Sequence, residues 1–332
     1  MTKSSNILPL VTARDLKKET PSFLEGHLID QLNAAKQLPP LRPILQDFIF
    51  ENDLCIVFGS TNTGKTTLIT HIAEMLASGK TIGGFSSEVQ ETVIYLDLEM
   101  DARKLAKRYE KDTDSVYPFS KKLIRMYPNR EFVGRLSAKD TIEQAIDLMT
   151  VYGSRGLVVD NLSAMGMEHE KSAEALELMR IFRQVTVQTQ GTVIVGAHTP
   201  KRNGSESLQL KDLAGSAVIG NFADSIIGIG EDARNPSRRY LKGFKNRDEK
   251  KLYCGPQVLE CEIKKDDSGL VYFDKIGASY ESHMLISDQE AEKMQRNSDI
   301  LQLKSEGLSL NQIAEKLGMN RSTVQTIIRR SE

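Results

Sequence analysis

The sequence predicts an α/β fold with a mainly parallel sheet, followed by a small all-α module. Two observations support the α/β part: short apolar runs alternate with helical stretches between residues 50 and 230, and a glycine-rich segment separates the first run from the first helix. A third observation, the spacing of apolar residues after position 297, predicts three short helices. At 332 residues the chain is long enough for one large domain and one small module.

The composition is that of a globular protein, with 39% hydrophobic and 27% charged residues. The formal net charge of -1 excludes a chain that binds nucleic acid through overall positive charge, so contacts with DNA would need local basic patches. Cys55, Cys254 and Cys261 lack metal-binding spacing and indicate reduced thiols. Since no segment is apolar enough for a signal peptide or a membrane span, we expect a cytoplasmic protein without a membrane partner.

The chain divides into four predicted segments. Residues 1–38 are polar and form an arm or linker, which ends where Pro39, Pro40 and Pro43 introduce the core. Residues 39–280 form the α/β core, residues 281–296 form a charged linker that is either a helix or a flexible tether, and residues 297–332 form the small all-α module.

Uninterrupted apolar runs are typical of strands that are covered on both faces. Such runs predict strands at 54–58, 92–96, 156–159, 192–196 and 225–229, and helical patterns predict helices at 65–77, 102–109, 141–152 and 173–189. Strand and helix in alternation imply parallel strands joined by right-handed crossovers. After residue 230 the pattern changes, and the segments 238–247 and 271–273 predict a small antiparallel extension.

A phosphate-binding loop is predicted between the first strand and the first helix. The segment fits the pattern G-x-x-x-x-G-K-T and consists of Gly59, Ser60, Thr61, Asn62, Thr63, Gly64, Lys65, Thr66 and Thr67. Glycines allow backbone N–H groups to close around the phosphates of ATP, and the N-terminus of the following helix favours their negative charge. Lys65 would contact the β- and γ-phosphates, and the Thr66 hydroxyl would bind Mg²⁺. The alternative is a chance match in an ordinary turn.

Two predicted strands end in carboxylates. Asp160 follows an apolar strand about a hundred residues after the loop, which is the Walker B arrangement that holds Mg²⁺ opposite Thr66. Glu99 follows the strand after the first helix, and we assign it as the general base that polarises the attacking water. Asp97 competes for that role, and either acid could instead cap a helix.

A histidine ends the strand that follows the Walker B segment. His198 could sense the γ-phosphate and pass its loss to the next loop, or it could be an interior residue with satisfied hydrogen bonds. The residue alone does not decide between these alternatives.

Taken together, these motifs resemble the RecA-like P-loop NTPase superfamily, and more narrowly the hexameric helicases of the plasmid RepA and DnaB type. The resemblance covers roughly residues 40–250. It implies that Glu99 and His198 act as catalytic residues, and that Lys245 and Arg247 form a Lys-x-Arg pair that enters a neighbouring subunit's site as an arginine finger. It therefore implies a homo-oligomer, with the hexamer as the ring known in that family. Without the resemblance, the pair would be a solvated basic hairpin.

The segment after the histidine is a candidate contact with single-stranded DNA. Residues 200–213 are polar and carry Lys201, Arg202 and Lys211, but no aromatic residue that could stack on a base. Contacts there would be mainly with phosphates. The alternative is an ordinary surface loop.

The last 36 residues resemble the helix-turn-helix of resolvases and small transcription factors. Ser309 and Gln312 form a capping box, and Gly318 allows the tight turn. The predicted core consists of Ile313, Ala314, Leu317, Val324 and Ile328. The resemblance implies that the third helix binds duplex DNA, through Arg321, Ser322, Thr323 and Gln325 at bases and Arg329 and Arg330 at phosphates. A protein-interaction bundle of the same shape is the alternative.

Three functions follow from these motifs. The first is an ATP-hydrolysing, DNA-dependent motor, that is, a RepA-like helicase or helicase-like replication or mobilisation protein. The second is a DNA-bound regulatory ATPase whose nucleotide state controls oligomerisation without unwinding. The third, a P-loop small-molecule kinase, is disfavoured by Glu99, Asp160 and the Lys-x-Arg pair, since no lid-like arginine cluster accompanies them.

Overall fold

The computed structural model describes residues 26–129, 137–165, 172–199, 206–213, 216–247, 252–285 and 288–329. The strands are β1 (Pro43–Leu45), β2 (Ile49–Phe50), β3 (Leu54–Gly59), β4 (Val93–Asp97), β5 (Glu110–Asp112), β6 (Ser115–Val116), β7 (Leu123–Met126), β8 (Gly156–Asp160), β9 (Thr192–His198), β10 (Ser225–Glu231), β11 (Arg238–Asn246), β12 (Gln257–Lys265) and β13 (Val271–Tyr280). The helices are α1 (Leu28–Ala35), α2 (Lys65–Ser78), α3 (Ala102–Arg108), α4 (Ala138–Tyr152), α5 (Ser172–Thr189), α6 (Ser216–Phe222), α7 (Glu281–Leu285), α8 (Asp288–Ser305), α9 (Leu310–Lys316) and α10 (Arg321–Arg329).

Within these residues a nine-stranded sheet has the order β13-β12-β11-β10-β3-β9-β8-β4-β7. The strands from β10 to β7 are parallel. The strands from β10 to β13 pair in antiparallel fashion. The predicted α/β fold with a mainly parallel sheet is confirmed, and so is the antiparallel extension, in which the segment after residue 238 forms one long strand of a meander.

Both faces of the sheet are buried, which explains the continuous apolar runs. Along β3, Ile56 and Phe58 belong to an apolar cluster with α4 and α5, whereas Cys55 and Val57 belong to a second cluster with α2. Alternate side chains of a strand point to opposite faces, so a strand between two helical layers needs apolar residues at every position. Burial of each such aliphatic side chain stabilises the fold by about 1.5–3 kcal/mol.

The structure contains strands that the sequence patterns did not predict. The four residues of β7 form the outer edge of the parallel part, and each of them is partly exposed. The short hairpins β1-β2 and β5-β6 were also not predicted. Such strands lack a long apolar run because they are short or exposed to solvent in part.

The N-terminal arm is described from residue 26 onward. It contains α1, a helix that buries none of its described side chains. The apolar residues Leu28, Ile29 and Leu32 are all more than half exposed. The described part of the arm is therefore a short amphipathic helix outside the core.

The C-terminal module has the predicted three-helix structure, formed by α8, α9 and α10. The Ser309 hydroxyl accepts from the backbone N–H of Gln312, whose side chain accepts in turn from the Ser309 N–H, so the capping box is confirmed. Gly318 has a φ of 61°, a left-handed conformation that favours glycine in the turn. The buried core comprises Ile300, Leu303, Ile313, Ala314, Val324 and Ile328, with Leu317 packed against it.

The predicted linker is largely helical. The helix α8 begins at Asp288 and continues to Ser305, across the predicted boundary at residue 297. The residue that opens the predicted linker, Glu281, is buried against the core instead of lying in a tether. Of the two forms predicted for the linker, the described residues show the helix rather than the flexible tether, as expected from the helix-forming tendency of Glu, Lys and Arg.

No helix of the described residues is both long and apolar enough to cross a membrane.

Candidate nucleotide site

The candidate site lies where parallel strands of the sheet end. The carboxyl ends of β3, β9, β8 and β4 meet at one edge, and the loops that follow them bring the predicted residues together. A cleft of about 300 Å³ opens there. Its lining residues are Thr61, Asn62, Gly64, Lys65, Thr66, Thr67, Glu99, Met100, Arg108, His198, Ile263 and Val271.

The phosphate-binding loop turns tightly from β3 into α2. Gly64 caps α2 with a φ of 97°, and an added Cβ there would lie 2.8 Å from Ile263 Cδ1. The Thr63 hydroxyl donates to the Ser60 carbonyl at 2.8 Å across the turn. Because no side chain caps α2, its first backbone N–H groups are open to an anion. The loop therefore has the geometry of a phosphate cradle, with no room for a larger residue at position 64.

Lys65 is held in the loop by backbone carbonyls. Its Nζ donates to Gly59 O at 2.8 Å and to Ser60 O at 2.9 Å, and the residue is only 6% exposed. Burial lowers the pKa of Lys65 to about 8, while Asp160 and Glu99 act in the opposite direction. A bound phosphate would add negative charge beside a buried ammonium group and so stabilise its charged form.

Asp160 is buried at the end of β8. Its Oδ2 accepts from the Tyr95 hydroxyl at 3.0 Å, whereas its buried Oδ1 has no hydrogen-bond partner among the described residues. Burial raises the pKa of Asp160 to about 6, and Glu99 adds to the rise, whereas hydrogen bonds from Thr66 and Tyr95 oppose it.

These residues fit a magnesium ion. An unpartnered carboxylate oxygen beside the Thr66 hydroxyl is the donor set that Mg²⁺ uses with phosphates and waters. The described part of the chain contains no group of three or more His, Cys, Asp or Glu residues that could hold a metal without such phosphates and waters. Thr66 and Asp160 are thus the residues that would hold Mg²⁺ in this arrangement.

The structure distinguishes the two acids after β4. Asp97 is fully buried, and its Oδ1 accepts from the backbone N–H groups of Glu99 and Met100 at 3.1 and 2.9 Å. Its Oδ2 forms an ion pair with Arg125 at 2.9 Å. Asp97 is therefore committed to shaping the turn, and Glu99 is the carboxylate that this turn presents to the cleft.

Two residues of the site were not predicted. Asn161 follows Asp160 directly, and its Nδ2 lies 2.7 Å from Glu99 Oε2 and 3.2 Å from His198 Nε2. Arg108 ends α3 and lines the cleft, and its NH1 is buried without a hydrogen-bond partner among the described residues. Asn161 could have been found from the sequence, because it stands directly after the Walker B acid. Arg108 could not, because it lies in a basic run that resembles any solvated helix.

Comparison with protein families decides the class. A family model described as an AAA domain matches residues 18–204, which is more than half of the chain. The chain belongs to this AAA-domain family. A second model, described as a homeodomain-like domain, matches residues 287–332. No curated protein matches the sequence.

Among solved structures, the chain is similar to the KaiC-like protein of the hyperthermophilic archaeon Pyrococcus horikoshii OT3. The two are 16% identical, the match covers 69% of this chain and 93% of that one, and the TM-score is 0.49. The AAA-domain core thus contains the phosphate-binding loop, and the homeodomain-like module follows it.

The Lys-x-Arg pair does not line the cleft of the AAA-domain core. Lys245 pairs with Ile226 near the start of β10, whereas Gly59 of the phosphate loop pairs with Ile229 farther along. The pair therefore lies toward the amino ends of the parallel strands, whereas the cleft lies at their carboxyl ends. Lys245 Nζ donates to Gly220 O at 2.7 Å, and Arg247 NH1 lies 3.1 Å from Asp224 Oδ1. The fold does not bring these two predicted catalytic residues to the chain's own nucleotide site.

The predicted DNA contacts of this AAA-domain protein lie in the segment 200–213 and at the C-terminal helix α10. Lys201, Arg202 and Arg330 lie outside the described residues. Lys211 is exposed in the short helical turn Leu210–Asp212. On α10, Arg321, Ser322, Thr323 and Arg329 are exposed, whereas Gln325 is half-buried.

Proposed function

We propose that the protein is an ATP-hydrolysing, DNA-dependent motor, a RepA-like helicase or helicase-like replication or mobilisation protein. The convergence of Lys65 and Glu99 on one cleft, with the buried Asp160 close to both, carries this proposal. These groups supply the phosphate contact, the metal ligand and the base that ATP hydrolysis requires. The AAA-domain family match supports the same reaction class.

Each group has a defined task in the proposed reaction. The loop and Lys65 bind the phosphates and hold the γ-phosphate in line with the attacking water. Glu99 accepts the water proton as the new bond to phosphorus forms, and the bond between phosphorus and the β–γ bridging oxygen breaks to leave ADP. Mg²⁺ at Thr66 and Asp160 would neutralise charge on the phosphate oxygens when bound.

The reaction is completed by a second copy of the chain in this proposal. Lys245 and Arg247 lie away from their own cleft, and the Arg247 side chain is 45% exposed, so it can reach another protomer. In the neighbour's site the two cations would stabilise charge in the transition state. Hydrolysis would then depend on a homo-oligomer, with a hexameric ring as the expected form.

DNA binding is proposed for two parts of the chain. The exposed residues of α10 would enter the major groove of duplex DNA, with Arg321, Ser322, Thr323 and Gln325 at bases and Arg329 at a phosphate. The homeodomain-like match supports this assignment. Lys201, Arg202 and Lys211 would contact the phosphates of a single strand.

One observation favours a second candidate, a DNA-bound regulatory ATPase that does not unwind DNA. The segment 200–213 carries no aromatic residue, so it has no platform on which a translocating strand could stack. In this alternative the nucleotide state would control oligomerisation while the module stays on its DNA site.

Phosphate release from Mg²⁺-ATP should be measured with and without single-stranded DNA, alongside solution mass and unwinding of a forked duplex. Stimulation by the single strand together with unwinding supports the motor, whereas hydrolysis without unwinding supports the regulator. Lys65→Ala is the negative control. Wild-type protein that neither binds nor hydrolyses Mg²⁺-ATP would refute both candidates.

A further inference from the structure

A single side-chain amide joins the proposed base to the proposed γ-phosphate sensor. Asn161 is 2% exposed, and its Nδ2 lies within hydrogen-bond distance of Glu99 Oε2, at 2.7 Å, and of His198 Nε2, at 3.2 Å. Glu99 follows β4, Asn161 follows β8 and His198 ends β9, so the contact ties together three neighbouring strand ends.

The orientation of this amide is set by its other end. Asn161 Oδ1 accepts from the backbone N–H of Ala164 at 3.2 Å, in the short turn after β8. A carboxamide has one acceptor oxygen and one nitrogen with two N–H groups, so the nitrogen must point toward Glu99 and His198. Both partners must then accept. Glu99 accepts as a carboxylate, and His198 accepts through an Nε2 that carries no proton, which places the ring proton on Nδ1.

We propose that Asn161 is a positioning residue for ATP hydrolysis, one that aims the Glu99 carboxylate and fixes His198 in the Nδ1–H tautomer. The inference rests on the proposed function. Asn161 need not contact the nucleotide, because it acts through the two residues that line the cleft. A general base must lie within hydrogen-bond reach of the water whose proton it takes, so loss of this alignment lowers kcat more than it weakens nucleotide binding.

Two substitutions separate the donor role from a purely structural one. Asn161→Asp keeps an oxygen that accepts from Ala164 N–H, but it removes both donors. Asn161→Ala removes donor and acceptor without adding charge beside Asp160. If positioning is the role, both variants lose kcat by about 10- to 100-fold, as expected when a reacting group is misplaced by a fraction of an ångström to an ångström. The KM for ATP should stay within about threefold of wild type on the same argument.

A double-variant test assigns the effect to the base. In a Glu99→Gln background, which already lacks the base, Asn161→Asp should lower the residual rate much less than it lowers the wild-type rate. Full wild-type kcat in Asn161→Asp would overturn the inference, because it would show that only the acceptor oxygen matters. Equal fractional losses in both backgrounds would overturn it as well.

The histidine tautomer provides a readout that does not depend on turnover. Nitrogen NMR of ¹⁵N-histidine-labelled full-length protein, with the signals assigned by His198→Gln, should show His198 protonated at Nδ1 in the wild type. In Asn161→Asp the new carboxylate accepts from the ring, so the proton should move to Nε2. An Nε2–H tautomer in the wild type, or an unchanged tautomer in the variant, would refute the inference. Absence of ATPase activity in the wild type would refute the proposed function instead, and the tautomer test would still decide the Asn161 contact.

Discussion

The buried carboxylate of Glu281, at the start of α7, accepts hydrogen bonds from several elements. Its oxygens accept from the Ser207 hydroxyl at 2.7 Å, from the Leu208 backbone N–H at 2.7 Å and from the Tyr240 hydroxyl at 3.0 Å. It also pairs with Lys242, whose Nζ donates in addition to the Leu208 carbonyl at 2.9 Å. The cluster fastens Ser207 and Leu208 to the sheet.

Glu281→Gln keeps the shape of the side chain but removes its charge, so the Lys242 ammonium group remains buried without a counter-ion. The side chains of Lys242 and Glu281 are only 10% and 3% exposed, so water cannot solvate the Lys242 ammonium group in place of the lost carboxylate. Loss of one partner of a buried ion pair costs about 3–5 kcal/mol. A typical domain has about 5–15 kcal/mol of stability in total, and the expected loss is therefore a large part of it.

The assay is urea unfolding followed by far-UV circular dichroism, since the chain has no tryptophan. Glu177→Gln is a matched control, because Glu177 pairs with Lys139 at 2.9 Å but both side chains are more than half exposed. Exposed pairs contribute about 0.2–1 kcal/mol. If Glu281→Gln costs no more than Glu177→Gln, burial does not strengthen the Glu281 cluster and the reasoning is refuted.

Three further predictions follow from the site and the core. Gly64→Ala should weaken Mg²⁺-ATP binding by at least tenfold in calorimetry, because a left-handed φ and contact with Ile263 both oppose a side chain there; unchanged affinity would contradict the cradle geometry. Arg247→Ala should lower ATP hydrolysis by about 10³-fold while nucleotide binding is retained, and inactive subunits should poison mixed assemblies; activity that falls only in proportion to dilution would argue against a role in the neighbour's site. Burial lowers the pKa of His71 to about 4, so the unfolded chain binds its proton first on acidification, and stability should fall by about 1.4 kcal/mol per pH unit between pH 6.5 and 4. His71→Gln should lack this part of the pH dependence in denaturant unfolding, and an unaltered slope would exclude His71 as its source.

The parallel part of the fold could be predicted because each of its central strands is buried on both faces. The runs that contain Val57, Val158 and Ile194 could be recognised without knowledge of the neighbouring strands, since the residues on either side of each are apolar. The edge strand β7 and the antiparallel strands β12 and β13 could not be predicted in the same way. Their mixed composition reflects a partly exposed position that exists only once the sheet has formed.

The candidate site likewise contains some residues that the sequence predicts and others that it does not. Lys65, Thr66 and Asp160 were predicted because the chemistry of phosphate and metal fixes their spacing from strand ends. Sequence alone left Asp97 and Glu99 as competitors, because the choice depends on Arg125, which reaches Asp97 from a strand that was not predicted. Asn161 was missed for a related reason: its partners come from two other strands, and distances between strand ends are not visible in a linear motif.

The glycine that caps α2 lies against side chains about two hundred positions away in the sequence. Ile263 and Phe273 of β12 and β13 close the space beside Gly64, and β10 pairs with the strand that carries the phosphate loop. A truncated chain that stops at residue 204, where the AAA-domain match ends, would leave β3 as an unprotected sheet edge and one flank of the cleft open to solvent. The smallest fragment that can build a complete nucleotide cleft therefore extends through β13.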